Sequence, residues 1–342
     1  MLDGKRVLVT GGTGSLGKAV VKRVLTGELG NPERVIVFSR DEAKQHEMRM
    51  QWLNRRVATD DVIYRDYRNV LEFRIGDVRD FDSIAAAVGE ADVVFHAAAL
   101  KQVPSCEYAP LEAVKTNVLG AANLVRALLS PSSRVALAIA VSTDKACKPV
   151  NVMGMTKAIQ ERIFVNANIG QPKTKFLCVR YGNVISSRGS VVPLFLEQIN
   201  RGGPVTVTLE RMTRFLLSLD HAVDTIFAAA TTGAAGDTYI PKLPSAYVMD
   251  IAKALIDDRN IAIEIVGARP GEKIDEVMVS EEEIFRTVER DGYYVIKPIL
   301  PELTRGQAVH PARTTEYSSR ETTLSISDIR ELLRTSMEAP PD

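Results

Sequence analysis

The sequence of 342 residues lacks the segments that would direct it to a membrane or to an oxidising compartment. No stretch comes near the roughly eighteen uncharged apolar residues of a membrane-spanning helix, and the first residues hold only one short apolar run. Its three cysteines, Cys106, Cys147 and Cys178, have no redox-type or metal-type spacing, and its four histidines are scattered. We therefore expect a cytoplasmic protein with no disulfide framework and no metal site.

An excess of charge of either sign is also missing. Lysine plus arginine and aspartate plus glutamate number 43 each, so the formal net charge at pH 7 is zero. A chain without a net field has no general attraction for nucleic acid or for an anionic membrane surface, and we expect neither as a partner. Any anionic ligand must be bound by a local group of cations.

What the sequence does have is an alternation of short apolar runs and longer amphipathic stretches. Hydrophobic residues make up 45% of the chain, enough for one large core and a smaller appended one. The apolar runs, which are predicted strands, are RVLVT (6–10), RVIVF (34–38), VLEFRI (70–75), DVVFHAAA (92–99), RVALAIAVS (134–142) and KFLCVR (175–180). Each is followed by a stretch with helical spacing, so the pattern predicts an α/β fold with a doubly wound parallel sheet of the Rossmann type.

The first predicted strand leads directly into a loop with a glycine at every third position, GGTGSLG, and then into a predicted helix. Glycines allow a tight turn and let a pyrophosphate approach the N–H groups at the helix start, where the helix dipole favours negative charge. This context predicts a dinucleotide site. The predicted loop contacts are Gly11, Thr13, Gly14, Ser15, Leu16 and Gly17.

The end of the second predicted strand indicates which dinucleotide is bound. Where NAD-binding enzymes place a carboxylate for the adenosine ribose, this chain has Ser39 and Arg40, with Lys44 one turn later. These side chains can hydrogen-bond and neutralise a 2′-phosphate, which favours NADP. The alternative is that Arg40 is a solvated charge beside Asp41. Further predicted cofactor contacts are Asp77, Val78, Ala97, Ala98, Ala99, Lys101, Tyr181 and Asn183.

After about residue 180 the alternation gives way to loops rich in glycine and proline that separate shorter elements. We predict an NADP-binding Rossmann domain over 1–180 and a smaller C-terminal substrate-binding lobe over 181–342, from which a strand or helix can return to the first domain. The helices predicted in this lobe cover about 220–233, 247–257 and 326–335.

The fifth predicted strand and the helix after it carry groups that can transfer protons. The strand ends at Thr143, Asp144 and Lys145, so a carboxyl that can protonate a leaving hydroxyl adjoins an amine that can remove a carbon-bound proton. Lys145 can act as a base near neutral pH only if burial and a nearby positive charge, with Lys157 as its source, lower its pKa. The alternative is an Asp-Lys turn on the surface.

Lys157 lies one helical turn after Met153, so the two share a helix face from which the lysine can reach a nicotinamide ribose. In the short-chain dehydrogenase/reductase superfamily this face carries Tyr-x-x-x-Lys. A thioether cannot exchange a proton, so the role of the tyrosine must pass from position 153 to another group or to water.

Long segments of the chain, in this order, resemble one family. They are GGTGSLG, FSRDEAKQ, GDVRD, FHAAALKQVPSCEYAPLEAVKTNVLGAANL, STDKACKPVN, RYGNVISSRGSVVPLF, MTRF and GARPGEK. Together they closely resemble bacterial UDP-N-acetylglucosamine 4,6-dehydratases that invert C5, which are extended short-chain dehydrogenases/reductases with PseB-like and CapE-like groups. Met153 resembles the CapE-like group, whereas RPGEK and EYSSR (316–320) resemble the PseB-like group, so the subgroup stays open.

The resemblance implies an NADP-dependent lyase of bacterial surface polysaccharide or flagellin glycan synthesis. Hydride would leave C4 of the sugar and return to C6, Lys145 would remove the C5 proton, and Asp144 would protonate the departing C6 hydroxyl. Thr143 would complete the catalytic Thr-Asp-Lys, Lys157 would bind the ribose, and the protein would be a homo-oligomer, with a hexamer as one candidate form. The implied contacts to the UDP-sugar are Lys101, Asn183, Val184, Arg188, Arg214, Arg269 and Glu272.

Two other functions stay open. A UDP-hexose 4-epimerase on the same fold would return hydride to C4 and would need no acid for a C6 hydroxyl. A non-catalytic NADP-binding sensor or scaffold would have no reason to combine Asp144, Lys145 and Lys157.

Overall fold

Within residues 1–53, 67–170, 172–185, 190–268, 271–304 and 309–337, which the computed structural model describes, a sheet of nine strands lies at the centre. The strand order is β13-β14-β9-β6-β5-β4-β1-β2-β3. In chain order the strands are β1 (Arg6–Thr10), β2 (Arg34–Ser39), β3 (Leu71–Ile75), β4 (Val93–His96), β5 (Leu137–Thr143), β6 (Lys175–Tyr181), β7 (Val205–Val207), β8 (Thr213–Phe215), β9 (Thr238–Pro241), β10 (Ser245–Tyr247), β11 (Ile263–Ile265), β12 (Val277–Val279), β13 (Thr287–Arg290), β14 (Tyr293–Ile296) and β15 (Tyr317–Ser318).

The strands from β3 to β9 in this order pair in parallel, and β14 runs antiparallel to both of its neighbours. The predicted doubly wound α/β fold is confirmed. The order reverses between β1 and β4, and ligands bind to such sheets in the crevice at the carboxyl ends of the strands where this reversal occurs. The predicted strand 92–99 is shorter in the structure, because β4 ends at His96 and the next three alanines leave the sheet.

Helices cover both faces of the sheet, which explains why most of its strands are apolar throughout. Helices α1 and α10 pack on one face through residues such as Val20 and Ile226, while α4, α7 and α8 cover the other through Ile84, Leu124 and Phe164. The helices are α1 (Ser15–Leu25), α2 (Glu42–Leu53), α3 (Tyr67–Val70), α4 (Phe81–Gly89), α5 (Val103–Tyr108), α6 (Pro110–Ala113), α7 (Gly120–Leu128), α8 (Val152–Asn166), α9 (Val191–Asn200), α10 (Leu219–Thr232), α11 (Val248–Ile256), α12 (Glu281–Ile284), α13 (Pro301–Thr304) and α14 (Ile326–Met337). A π-helical segment, Val114–Leu119, joins α6 to α7, and a 3₁₀ turn, Asp144–Ala146, follows β5.

The second half of the chain is divided between this sheet and a separate apolar core. Helices α9, α11 and α14 pack around Phe195, Ile251 and Ile329 beside the short pair β7 and β11. By contrast, β9, β13 and β14 extend the main sheet, and α10 lies on its face. The predicted division into two domains at residue 180 stays a prediction. In that division, β9, β13, β14 and α10 would be the part of the C-terminal lobe that returns to the Rossmann domain.

A buried group of charges ties the sheet to the segment around α12. The guanidinium of Arg180 in β6 donates to both carboxylate oxygens of Glu161 in α8, at 3.0 and 2.7 Å. It also donates to Glu283 in α12, at 2.7 and 3.0 Å, and the three side chains are at most 10% exposed. Loss of Arg180 would leave Glu161 without this cation away from water and would leave Glu283 with Arg286 alone, at 3.3 Å.

We expect Arg180→Met to lower the free energy of unfolding by about 3–5 kcal/mol, measured by urea denaturation, because it removes the cation paired with the buried Glu161 and the stronger of the two cations paired with Glu283. The matched control is Arg201→Met, which removes an exposed ion pair with Glu197 and should cost less than about 1 kcal/mol. Equal losses in the two variants would contradict this account of the buried group.

Candidate functional site

The carboxyl ends of the parallel strands open into a cleft of about 1630 Å³. All of the predicted cofactor and substrate residues that the structure describes border this cleft, and so do Thr143, Lys145, Met153 and Lys157. Arg188 and Arg269 lie outside the described residues. The remaining candidate, Asp144, is completely buried next to Lys145 and does not border the cleft. Residues that are far apart in the sequence are thus brought together at the edge of the sheet.

The glycine loop between β1 and α1 is closed so tightly that side chains do not fit at two of its positions. A Cβ on Gly11, whose φ is +68°, would lie 2.7 Å from the Ala98 backbone nitrogen, and one on Gly17 would lie 2.3 Å from the Gly11 oxygen. Gly14 caps α1 with no side-chain hydrogen bond, and the first turn has no acidic residue. This leaves a positive helix end facing the cleft, which fits a pyrophosphate.

The residues after β2 form the rim where an adenosine ribose would lie. The Oγ of Ser39 accepts a hydrogen bond from Gln45 Nε2 at 3.1 Å, and the Lys44 ammonium pairs with Asp41 at 2.8 Å. Arg40 is exposed at the cleft, directly after the strand. Among the described residues the Arg40 guanidinium has no ion pair to give up when a phosphate arrives, whereas Lys44 must release Asp41.

Met153 and Lys157 lie on the face of α8 that borders the cleft. Met153 is 5% exposed and packs with Cys106 and Ala113 in a small apolar cluster. The amine of Lys157 donates to Gln160 Oε1 at 2.7 Å, and burial lowers the pKa of this lysine to about 8. The face therefore offers a buried amine beside a thioether that cannot transfer a proton.

The ammonium group of Lys145 lies among polar groups from three parts of the chain. Its Nζ is 3.1 Å from Asp144 Oδ1, 3.1 Å from Glu276 Oε1 and 3.0 Å from Asn183 Oδ1. The Nε of Arg214 is 3.8 Å from the same Glu276 oxygen. Two carboxyl groups and two cations thus lie together, with Asp144 buried behind the wall of the cleft and the other three at its surface.

The condition stated above for Lys145 to act as a base, a lowered pKa, is not met in this structure. Burial does lower it, but the neighbouring Asp144 and Glu276 outweigh burial, so the pKa of Lys145 lies above its ordinary value. The positive charge that acts on it belongs to Arg214, not to Lys157. Near neutral pH, Lys145 is therefore an ammonium and a proton donor.

The pKa values of the two carboxyl groups move in opposite directions. Burial and then the charge of Glu276 raise the pKa of Asp144. Burial also acts to raise the pKa of Glu276, but Lys145 and Arg214 outweigh it and lower this pKa below its ordinary value. When the surroundings of two carboxyl groups push their pKa values apart in this way, one group can serve as an acid and the other as a base.

Glu276 is the residue of this cluster that the sequence did not predict. Its side chain is 2% exposed and borders the cleft, and its Oε2 has no hydrogen-bond partner among the described residues. The backbone N–H of Glu276 donates to Ser319 Oγ at 2.9 Å, where β12 pairs with β15. No motif or periodicity marks this position, and the GEK motif draws attention to Glu272 instead.

His96, at the end of β4, is a buried core residue beside the cleft. Its Nδ1 lies 2.7 Å from Thr10 Oγ1, its ring stacks on Phe164, and its Nε2 has no partner in the part of the chain that the structure covers. Burial, and next the charge of Lys157, lower the pKa of His96 to about 3. The imidazole therefore stays neutral in the folded protein.

Residues 7–298 match the model of a family described as polysaccharide biosynthesis protein. The UDP-glucose 4-epimerase of Rickettsia prowazekii is 41% identical, over 98% of this chain and 97% of its own length. A Methanocaldococcus jannaschii protein named as an uncharacterized membrane protein is 42% identical over 86% of each chain. In this chain, the described ranges include no helix with the length and apolarity needed to span a bilayer.

Solved structures share the architecture. The X-ray structure of Pen from Bacillus thuringiensis has a TM-score of 0.86 at 33% identity, covering 98% of this chain and 99% of that one. DesIV, a dTDP-glucose 4,6-dehydratase from Streptomyces venezuelae solved with NAD bound, has a TM-score of 0.68 at 19% identity, covering 98% and 97%. At this identity the second similarity shows the fold alone.

The neutral state of His96 should make stability depend on pH. Because its folded-state pKa of about 3 is below the usual 6.5, the unfolded chain binds a proton that the folded one does not between these pH values. This contribution to stability is complete above pH 6.5 and is lost as pH falls, by up to about 1.4 kcal/mol per pH unit. We expect His96→Phe, which keeps the stacking on Phe164, to flatten urea-derived stability between these two pH values.

The control for this test is His310→Asn, at an exposed position outside the cleft, which should keep the slope of the unaltered protein. A slope that His96→Phe leaves unchanged would show that other groups cause the acid sensitivity.

Proposed function

The chain belongs to the polysaccharide biosynthesis protein family, and we propose that it removes water from UDP-N-acetylglucosamine. The family and the nucleotide-sugar enzymes among its relatives support the broader assignment, an extended short-chain dehydrogenase/reductase that modifies a nucleotide sugar. The proposed reaction is NADP-dependent 4,6-dehydration with inversion at C5, giving UDP-2-acetamido-2,6-dideoxy-β-L-arabino-hexos-4-ulose. Its main support is the Lys145 ammonium at the cleft, which lies between two carboxyl groups. The environment favours the protonated form of Asp144 and the ionised form of Glu276.

A nicotinamide dinucleotide fits the cleft, and when bound it supplies reversible oxidation of a sugar carbinol. The tight loop at Gly11 and Gly17 and the helix end at Gly14 suit its pyrophosphate. Lys157 would hold the nicotinamide ribose, as the resemblance implies, and Arg40 would bind the 2′-phosphate that distinguishes NADP from NAD.

The chain's own residues would then move protons around the sugar. Once C4 is a ketone, the proton on C5 is acidified, and its removal allows the C6 hydroxyl to leave. In this proposal Lys145 gives a proton to that hydroxyl, since two carboxyl groups keep its amine charged. Asp144 contacts Lys145 but does not border the cleft, so it would return a proton to the lysine instead of protonating the sugar directly. Thr143 donates to Asp144 Oδ1 at 2.7 Å and fixes this carboxyl.

The remaining candidates would bind the nucleotide sugar. Arg214 borders the cleft 3.8 Å from Glu276, and Lys101, Val184 and Glu272 line its walls. A volume of about 1630 Å³ exceeds the roughly 300–1,000 Å³ of ordinary ligand sites, which suits a dinucleotide and a second ligand side by side. The homo-oligomeric state and the cytoplasmic location stay predictions.

A 4-epimerase is the second candidate. The curated relative from Rickettsia prowazekii, 41% identical over nearly the whole chain, carries the name UDP-glucose 4-epimerase. An epimerase shares the fold, the dinucleotide and the first hydride transfer, but it returns hydride to C4. The cluster around Lys145 favours dehydration, because a reaction that keeps the C6 hydroxyl needs no proton donor for it.

Incubation with UDP-N-acetylglucosamine, followed by mass spectrometry, separates these functions, because only dehydration removes one water from the sugar. We expect water loss by the unaltered protein and none by Lys145→Ala, which should still bind NADP. Lys148→Ala, at an exposed position outside the cleft, is the matched control and should keep full activity. A product with unchanged mass and an inverted C4 would support the epimerase, and undiminished water loss by Lys145→Ala would remove this lysine from the mechanism.

Arg40→Ala tests the choice of dinucleotide. Loss of a charged hydrogen bond is worth about 1.5–3 kcal/mol, so we expect the affinity for NADP to fall by roughly tenfold or more while that for NAD stays the same. Calorimetric titration of the purified protein with each dinucleotide measures both. The control is Arg49→Ala, an exposed arginine in α2 outside the cleft, which should change neither affinity. Equal losses for the two dinucleotides would place Arg40 away from the 2′-phosphate.

A further inference from the structure

Oxidation of the sugar at C4 needs a group that takes the proton of the C4 hydroxyl as hydride leaves the carbon. The position on α8 where the superfamily carries its tyrosine is occupied here by Met153. Met153 borders the cleft and packs with Cys106 and Ala113, and a thioether cannot take up a proton. The proton of the C4 hydroxyl therefore needs another acceptor.

The hydroxyl of Thr143 has the contacts that such an acceptor requires. Thr143 is the last residue of β5, is half-buried and borders the cleft, whereas Asp144 directly after it is completely buried. The Thr143 hydroxyl donates to Asp144 Oδ1 at 2.7 Å and accepts a long contact from the Lys145 N–H at 3.4 Å. A hydroxyl has two lone pairs, so one stays available to accept a proton while the group passes its own to the carboxylate.

The start of α8 is packed directly against the turn that follows Thr143. A Cβ on Gly154 would lie 2.2 Å from the Lys145 carbonyl oxygen, so helix and turn are in close contact. Asn151 fixes this helix start, since its Oδ1 accepts from the Gly154 N–H at 2.8 Å. Met153 and Thr143 therefore belong to neighbouring parts of the same wall of the cleft.

Other hydroxyl groups at this wall are less suited to accept the proton. The side-chain oxygens of Ser142 and Thr116 are buried, so neither can meet a sugar in the cleft. Tyr181, which pairs with Thr143 across β5 and β6, borders the cleft, but a phenol accepts a proton only after losing its own. Burial raises the pKa of this phenol and so keeps it protonated.

From this arrangement we infer that the proton of the C4 hydroxyl leaves through Thr143 to Asp144. The inference rests on the oxidation at C4 with which the proposed dehydration begins. The O4–H and C4–H bonds break, the C4=O bond forms, and the hydride goes to the nicotinamide. The proton goes to Thr143 Oγ1, and the proton already on that oxygen goes to Asp144 Oδ1. The sugar thus loses a hydride and a proton, the nicotinamide gains the hydride, and Asp144 gains a proton.

Asp144 suits the end of this route. Burial raises the pKa of Asp144, so its carboxylate takes up a proton more readily than an ordinary one, while Lys145 Nζ at 3.1 Å from Oδ1 favours the ionised form. Asp144 then holds the proton of O4 until it is returned towards the C6 hydroxyl, which leaves as water. One proton thus serves both steps, and bulk solvent need not supply it.

The experiment compares the unaltered protein with Thr143→Val, which keeps the shape of the side chain and removes its hydroxyl. Water loss from UDP-N-acetylglucosamine, followed by mass spectrometry, should fall by about 100-fold, the usual share of a positioned proton acceptor. Because the block precedes hydride transfer, reduced nicotinamide should not accumulate, and deuterium at C4 should slow the variant more than the unaltered protein. Thr143→Ser keeps the hydroxyl and should keep most of the rate. Thr231→Val, at an exposed position outside the cleft, is the matched control and should keep the full rate.

A phenol at position 153 separates a lost proton acceptor from a structural defect. Added to Thr143→Val, Met153→Tyr should raise the rate by at least about tenfold, whereas Met153→Phe, which has the same ring without the hydroxyl, should not raise it. Where Thr143→Val does not fold, Asp144→Asn blocks the end of the same route. Met153→Tyr in that variant should let reduced nicotinamide accumulate without water loss, because the later step still lacks its proton.

The outcomes separate this inference from the proposed function. No turnover of UDP-N-acetylglucosamine by the unaltered protein would overturn both. A product of unchanged mass would overturn the dehydration alone, and the same variants would then be compared by their rate of inversion at C4.

Three results would overturn the inference alone. One is a rate of Thr143→Val within about threefold of the unaltered rate, which would leave water, Lys157 or Tyr181 as the acceptor. Another is accumulation of reduced nicotinamide in Thr143→Val, because it would place the role of the hydroxyl after the oxidation. The third is an equal effect of Met153→Tyr and Met153→Phe on that variant.

Discussion

The site depends on one half-buried ammonium group held between two carboxyl groups. Lys145 stays charged because Asp144 and Glu276 together outweigh the cost of removing it from water, and each carboxyl takes a different pKa from the same arrangement. Removing one partner from such a group is far more costly than the group is stabilising, since the remaining charges lose their compensation. The cluster therefore contributes a defined protonation pattern at the cleft more than it contributes to the stability of the fold.

The sheet supplies the geometry for this cluster. Parallel strands place their carboxyl ends at one edge, so the glycine loop after β1, the Thr-Asp-Lys run at the end of β5 and Asn183 after β6 meet although they are far apart in the chain. Polar groups collect at this edge, while the central strands are buried under helices on both sides. The loop after β1 is closed so tightly at positions 11 and 17 that only glycine fits there. This tight turn leaves the start of α1 open to a dinucleotide.

The sequence predicts those parts of the structure that depend on residues close together in the chain. The six N-terminal strands and the glycine loop depend on apolar runs and on turn chemistry within a few residues, and both were predicted from the sequence. The state of Lys145 was not, because it depends on Glu276 as well as on Asp144, and Glu276 reaches the cleft through the pairing of β12 with β15 and follows no motif. The return of β9, β13 and β14 to the main sheet was foreseen only in general terms, because short strands after long loops leave little periodicity to read.

The pairing of β12 with β15 also bears on the order in which the site can assemble during synthesis. Asp144 and Lys145 leave the ribosome with the first half of the chain, whereas Ser319, which holds Glu276 in place, is among the last residues made. Domains tend to fold from the N-terminus as they are synthesised, so much of the Rossmann sheet can form before Glu276 reaches Lys145. A nascent or C-terminally shortened chain would thus keep the glycine loop and lack one of the two carboxyl groups beside Lys145.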